Sequence, residues 1–180
     1  MKNILLIILS AFISFFTCAQ QDDHSHSGSA IHVDNEAFNS IKNLVGEWQG
    51  GFKWSGGRTT EGQMNARYYL TGNGTAVVED LMNQGNIIMT SVYHLDGTEL
   101  RVTHYCAAGN QPRLKASAFN SENKSVNFQL VDITNLTGPD AAHVKGIELR
   151  FTNIDKVTIL FTFTMSGIDS IEQIDLNRSK

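Results

Sequence analysis

Met89, His104 and Cys106 are the side chains from which chemistry could be built. A thioether, an imidazole and a thiol suit copper, and Met with His is a pair that holds haem iron. Asp96-Gly97 lies between the first of them and the other two. Asp-Gly favours a two-residue type I′ hairpin turn. That turn would set Tyr93 against Leu100, Ser91 against Val102, Met89 against His104 and Ile87 against Cys106, with His94 against Glu99 and Val92 against Arg101 on the other side. Directly opposed residues share one face of a sheet. The first set is mostly apolar and is expected to face inward, whereas His94, Glu99 and Arg101 are expected outside. Three readings of His104 then stand. It ligates a metal or haem, it hydrogen-bonds a polar group on an organic ligand in an apolar cavity, or it is an interior histidine satisfied by its neighbours, with Met89 and Cys106 as packing residues.

Arg113 follows in Ala107-Ala108-Gly109-Asn110-Gln111-Pro112-Arg113. Strict alternation puts it outside with Lys115, while a bulge at Pro112 would turn it inward or onto a rim. There its planar fork could hold a ligand carboxylate. The chain has no Gly-x-Ser-x-Gly, no His-Glu-x-x-His and no phosphate loop ending in Gly-Lys-Ser/Thr. Glu79-Asp80 is an acid pair, but neighbours on a strand point to opposite faces and make no paired catalytic site. No catalytic residue is assigned, and an enzyme is the less favoured class.

These side chains need elements to position them. Asp34 is expected to cap a short helix over 34–45, with Glu36 in its first turn and Phe38, Ile41, Leu44 and Val45 on one apolar face. From Gly46 the hydrophobic period changes to two. Strands are expected at 46–54, 60–70, 74–83, 86–95, 98–107, 112–120, 124–132, 143–153, 157–166 and 169–177, with Gly, Asn, Asp and Ser between them. Connections this short leave no room for crossover helices, so neighbours must be antiparallel. A meander of this length hides its edges by closing. The expected fold is all-β: an up-and-down antiparallel barrel of about ten strands preceded by one short helix. Its lumen would be lined by Ile87, Met89, Tyr93, Val102, His104 and Cys106 on one wall and by Phe161 and Phe163 on another.

Composition narrows the partners. The chain has 180 residues, 14 Lys+Arg against 18 Asp+Glu, and a net charge of -4, which argues against a nucleic-acid face. Met1-Lys2-Asn3 and the apolar Ile4–Phe16 read as an export signal over 1–19, too short to span a bilayer. Two endings compete: cleavage after Ala19, or lipidation of Cys18, which would be the one contact with a membrane. Residues 20–33 read as a polar tether, whose His24, His26 and His32 could at most chelate a metal weakly. Residues 34–180 then form a single domain, and the expected location is the periplasm, the cell envelope or the extracellular space.

Gly46-Glu47-Trp48-Gln49-Gly50, just after the helix, resembles the start of calycin-type barrels: lipocalins, fatty-acid-binding proteins and nitrobindin-like haem barrels. In those families Gly-x-Trp opens the barrel and the Trp closes its base. The stretch from Val92 to Arg113 is similar to bacterial barrel proteins of this group without an assigned activity. The resemblance covers about residues 38–178 and implies a cavity for a small molecule. The haem-binding branch takes its axial histidine from a strand near the C-terminus. Here no histidine follows His143, so only His104, from a different wall, could substitute. The leading expectation is an exported barrel holding a hydrophobic or mixed-polarity small molecule. The alternatives are a haem- or metal-binding barrel using His104, and a structural or interaction barrel of the envelope with a filled interior.

Overall fold

The computed structural model describes residues 35–180. The export signal at 1–19, the lipid anchor on Cys18, the tether at 20–33 and its three histidines all lie outside the described residues.

Asn35, rather than Asp34, caps the helix: its side-chain oxygen accepts the Phe38 N–H at 2.9 Å. The helix, α1, runs Glu36–Lys42 and is shorter than expected. Val45 therefore leaves the apolar face and is 41% exposed, whereas Ala37, Phe38, Ile41 and Leu44 stay buried. Ten strands follow, β1 Gly46–Gly56, β2 Glu61–Thr71, β3 Ala76–Asn83, β4 Asn86–Asp96, β5 Glu99–Tyr105, β6 Gln111–Ala116, β7 Ser125–Thr134, β8 His143–Asn153, β9 Lys156–Met165 and β10 Ile168–Arg178. Each pairs antiparallel with the next, and β1 pairs with β10, so the sheet is a closed up-and-down barrel.

α1 lies across one end. Asn35 reaches the Thr98 carbonyl in the β4–β5 turn, and Arg178 at the end of β10 donates to the Asn43 and Val45 carbonyls. Trp48 fills the space beneath: it is 1% exposed, and its indole N–H donates to the Leu44 carbonyl at 2.7 Å. Tyr68 meets its ring edge-on, and the Arg178 guanidinium covers the ring at 4.4 Å. The expected role of the Trp as a base plug is the observed one. Above it the lumen is packed by buried inward residues of every wall, among them Leu81, Leu114, Phe128, Leu149 and Ile159.

The β4–β5 hairpin corrects the register by two residues. Asp96 pairs with Glu99, so the turn is Gly97-Thr98. Gly97 has φ +60 and neither Asp96 nor Thr98 has a positive φ, which is a type II′ turn rather than type I′. A two-residue slip preserves the faces and changes the partners. His104 faces Ser91, not Met89, and Val102 faces Tyr93. The β4–β5 ladder ends at Thr90–Tyr105, so Cys106 lies past β5 and has no strand partner in Ile87. Ile87 itself is 53% exposed and is not a lumen residue, because an irregularity after Leu81 pairs it with Met82 at the strand end.

Candidate functional site

The barrel end opposite α1 is open. A cavity of about 440 Å³ descends from it, walled by Phe161 and Phe163 of β9, Val144 of β8, Met89 and Ile88 of β4, Trp54 of β1, Glu172 of β10 and the Cys106–Ala108 turn. Four expected ligand residues, Met89, Cys106, Phe161 and Phe163, are brought together here. Arg58, on the β1–β2 connection, and Ala142, before β8, complete the rim.

Tyr93, Val102 and His104 lie deeper. All three are buried and none lines the cavity. Phe161, a wall residue of the cavity, packs against His104: its ring centroid is 4.9 Å from that of the imidazole, at 40°. Arg113 is on the outer wall, clasping Asp132 through Nε and a terminal nitrogen at 2.5 and 2.8 Å. The ladder to β7 does shift between Arg113 and Leu114. Pro112 and Leu114 nevertheless keep the inward positions, so alternation holds Arg113 out.

Beneath the cavity floor a polar chain crosses the core. The Tyr93 hydroxyl donates to Glu79 Oε2 at 2.9 Å, and the Ser91 hydroxyl donates to Oε1 at 3.4 Å. Ser91 Oγ also lies 3.0 Å from His104 Nδ1. With the Ser91 proton on the carboxylate, Nδ1 must carry the imidazole proton, which leaves Nε2 as an acceptor. Among the described residues the buried Nε2 has no hydrogen-bond partner. The buried Tyr68 hydroxyl, across the ladder from Glu79, lies outside ordinary hydrogen-bond geometry but close enough to favour the Glu79 anion. Glu79 alternates with the buried Val77 and Leu81, as an inward position does, and the opposite facing expected of Glu79 and Asp80 is observed. Its neighbour Asp80 points out, paired with Arg67 at 2.9 Å and accepting from Thr90 at 2.8 Å.

Ser, His and Glu side by side suggest an acyl-transfer triad. Here the serine sits between the other two, is fully buried and does not face the cavity, so it has no route to a substrate. Haem ligation needs His104 Nε2 open to the mouth, and the overlying Phe161 ring does not leave it so. The residues as arranged do not fit an axial ligand. Among the described residues no group of three or more His, Cys, Asp or Glu could hold a metal ion.

Burial sets the protonation states. It raises the Glu79 carboxyl to about 7, although hydroxyls around it favour the anion. It does the same to Glu172 at the cavity wall, raising it to about 7 against the opposing pull of Trp54 and Arg58. It holds His104 down to about 4, so the imidazole is neutral at neutral pH. The Cys106 thiol is also pushed up by burial, which makes it a poor nucleophile.

These shifts have opposite linkage signs. Between its ordinary value and about 7, Glu79 holds a proton in the folded state that the unfolded chain has lost, so stability falls as pH rises through that window. His104 acts in reverse: the unfolded chain gains a proton first as pH falls from 6.5 toward about 4, and stability is lost there. Glu79→Gln keeps an acceptor for Tyr93 and Ser91 and removes the carboxyl titration. Relative to the parent, it should gain about 2 kcal/mol of stability on going from pH 5 to pH 8. Urea unfolding at the two pH values measures this. A parent and variant that run parallel would show that Glu79 ionises without penalty.

No protein-family model and no curated protein matches the chain. Solved structures do. The chain is similar to Rv2717c from M. tuberculosis, with a TM-score of 0.55 at 14% identity over 81% of this chain and 98% of that one. It is also similar to a protein of unknown function of the DUF3598 family from Nostoc punctiforme, with a TM-score of 0.53 at 13% identity over 77% of this chain and 48% of that one. At such identities the likeness is one of fold: a closed antiparallel barrel.

Proposed function

We propose that this chain is an exported, calycin-like binding barrel that holds a small organic molecule of mixed polarity in its open mouth. The observation that carries the reading is the cavity of about 440 Å³, closed below by a packed core and walled by Phe161, Phe163, Val144 and Met89. Ligand sites typically run from about 300 to 1,000 Å³ and combine apolar walls with a few polar groups. Glu172, Arg58 and the Cys106 thiol are the polar groups here. An interior filled throughout, as a purely structural barrel would have, leaves no such space. Export rests on the basic start, the short apolar run and the small residues Thr17 and Ala19 at the end of the signal. The calycin likeness rests on Gly46-Glu47-Trp48 with the observed base-plugging indole.

The test is titration of a neutral naphthylamine dye whose emission rises in apolar surroundings, followed by native mass spectrometry of the gently purified protein. The dye should bind at one site. Ala142→Trp, which fills the rim, should weaken it about tenfold or more. Ala142 is a partly buried loop residue whose carbonyl, not side chain, holds Asn110, so the fold should persist. Equal dye binding by parent and variant would place the ligand elsewhere and remove the reading.

A further inference from the structure

The mouth has a charge arrangement that points to one class of ligand. Trp54 and Phe163 meet edge-to-face, with ring centroids 5.6 Å apart at 88°. The Arg58 guanidinium lies 4.7 Å from the centre of each ring. Glu172 is the ladder partner of Trp54 on one side and of Phe161 on the other. It is only 5% exposed and yet lines the cavity, so its carboxylate turns inward toward the bound space rather than outward to bulk water.

Two aromatic faces above a buried carboxylate are the components of a cation site. A ring face attracts positive charge through its quadrupole, and a carboxylate shielded from water attracts it more strongly than a surface one does. The chain itself supplies the cation that now sits there. Arg58 is exposed, comes from a connection outside the strands, and is held by the two rings and by Coulomb attraction to Glu172. Among the described residues no hydrogen bond or ion pair fixes its guanidinium. Such a contact at an exposed position is weak enough for a ligand's own cation to replace it.

We propose that the mouth binds an organic cation, an ammonium or guanidinium group on an apolar tail, and that Arg58 is a resident occupant which the ligand displaces. The inference rests on the mouth being a ligand site. The head group would sit between Trp54, Phe163 and Glu172, and the tail would run down Phe161 toward Met89 and Val144. An anion recognised by Arg58 would instead have to bring its charge beside Glu172. A neutral amphiphile would use the walls, bring no charge to match the carboxylate and leave Glu172 with Trp54 and Arg58 as it stands.

Three ligands with one tail separate these cases: decylamine, decanol and decanoate, each titrated calorimetrically into the parent protein below its aggregation concentration and at pH 8, above the value of about 7 to which burial raises Glu172. Decylamine should bind at least about tenfold more tightly than either of the others. Glu172→Gln, which keeps the side-chain volume, should remove that preference. Arg58→Ala should tighten decylamine several-fold, since an internal competitor is gone. Thermal unfolding of both variants checks the fold, and Trp54→Leu, which keeps an apolar wall but loses one ring face, should weaken decylamine by a larger factor than decanol. Preferred decanoate binding, lost in Arg58→Ala, would overturn the cation assignment while leaving a binding barrel in place. No binding of any of the three would overturn both.

Discussion

Phe161→Ala should lower the unfolding free energy by about 3–5 kcal/mol and, in the same step, open the cavity onto His104. The ring is 1% exposed, and it pairs across the ladders with Ile147 on β8 and Glu172 on β10. It is therefore both core and wall. Removing it costs the transfer energy of the benzyl group and leaves a void that a closed sheet cannot shrink to fill. The second consequence is what distinguishes this position from any other buried phenylalanine. Phe161 lies over the imidazole of His104, whose Nε2 has no hydrogen-bond partner among the described residues. Burial is what holds that imidazole at about 4. With water admitted from the mouth, Nε2 gains a hydrogen-bond partner and the charged form loses its penalty. The His104 ring protons should then titrate well above 4, toward the ordinary histidine range. Proton NMR across the acid range reads this, alongside a chemical melt for the stability loss. A variant whose His104 still titrates near 4 would show that something other than Phe161 dries the core, and a melt unmoved by the substitution would deny the ring its place in the packing.

The same residues show how far sequence reasoning reached. Alternation alone placed Phe161, Phe163, Tyr93, Val102 and His104 on inward faces, because a one-residue slip would reverse an entire strand. It could not place them along the barrel axis. Depth depends on register, and the Gly97-Thr98 turn moved His104 from Met89 to Ser91 without changing its face. Four of the expected ligand residues reached the mouth and three lie below it, a division set by strand stagger. Glu79 and Glu172 were missed for the opposite reason. Their positions read as inward, beside Leu81 and Ile174, but a carboxylate argues for solvent unless its partners are known. Those partners, Tyr93 and Ser91 for one, Trp54 and Arg58 for the other, come from distant strands and a loop. Arg58 had no signal at all: a lone arginine after two glycines joins the rim only once β1, β9 and β10 are adjacent.

Gly50→Ala is expected to have the largest effect of any glycine-to-alanine substitution among the described residues. Gly50 sits in β1 opposite Leu176 of β10, on the seam that closes the barrel. A Cβ built there would lie 1.9 Å from the Asp175 carbonyl oxygen, 2.9 Å from the carbonyl carbon and 3.1 Å from the Leu176 Cα. All three atoms are backbone, so no rotamer change relieves the clash. β10 must move away from β1 by more than an ångström. That stretches the hydrogen bonds of the one ladder that joins the first strand to the last. Overpacking usually costs about 1–3 kcal/mol when side chains can give way. Here they cannot, and a loss above that range approaches the whole stability of a typical domain, about 5–15 kcal/mol. Gly146→Ala is the matched control. It is also a strand glycine, on β8, but an added Cβ would find its nearest neighbours at 3.6 Å, an ordinary contact. It should melt close to the parent, whereas Gly50→Ala should be unfolded or open along the seam, as circular dichroism and hydrogen exchange at β10 would show. The consequence for the mouth follows from the same ladder. Trp54 and Glu172 face each other across β1 and β10, four residues beyond Gly50. A seam that parts at Gly50 separates the aromatic face from the carboxylate, so any Gly50→Ala protein that remains soluble should lose its preference for an organic cation before it loses its affinity for a neutral apolar dye. A Gly50→Ala protein that melts with Gly146→Ala would mean that β10 yields at no cost and that closure does not hold the mouth in shape.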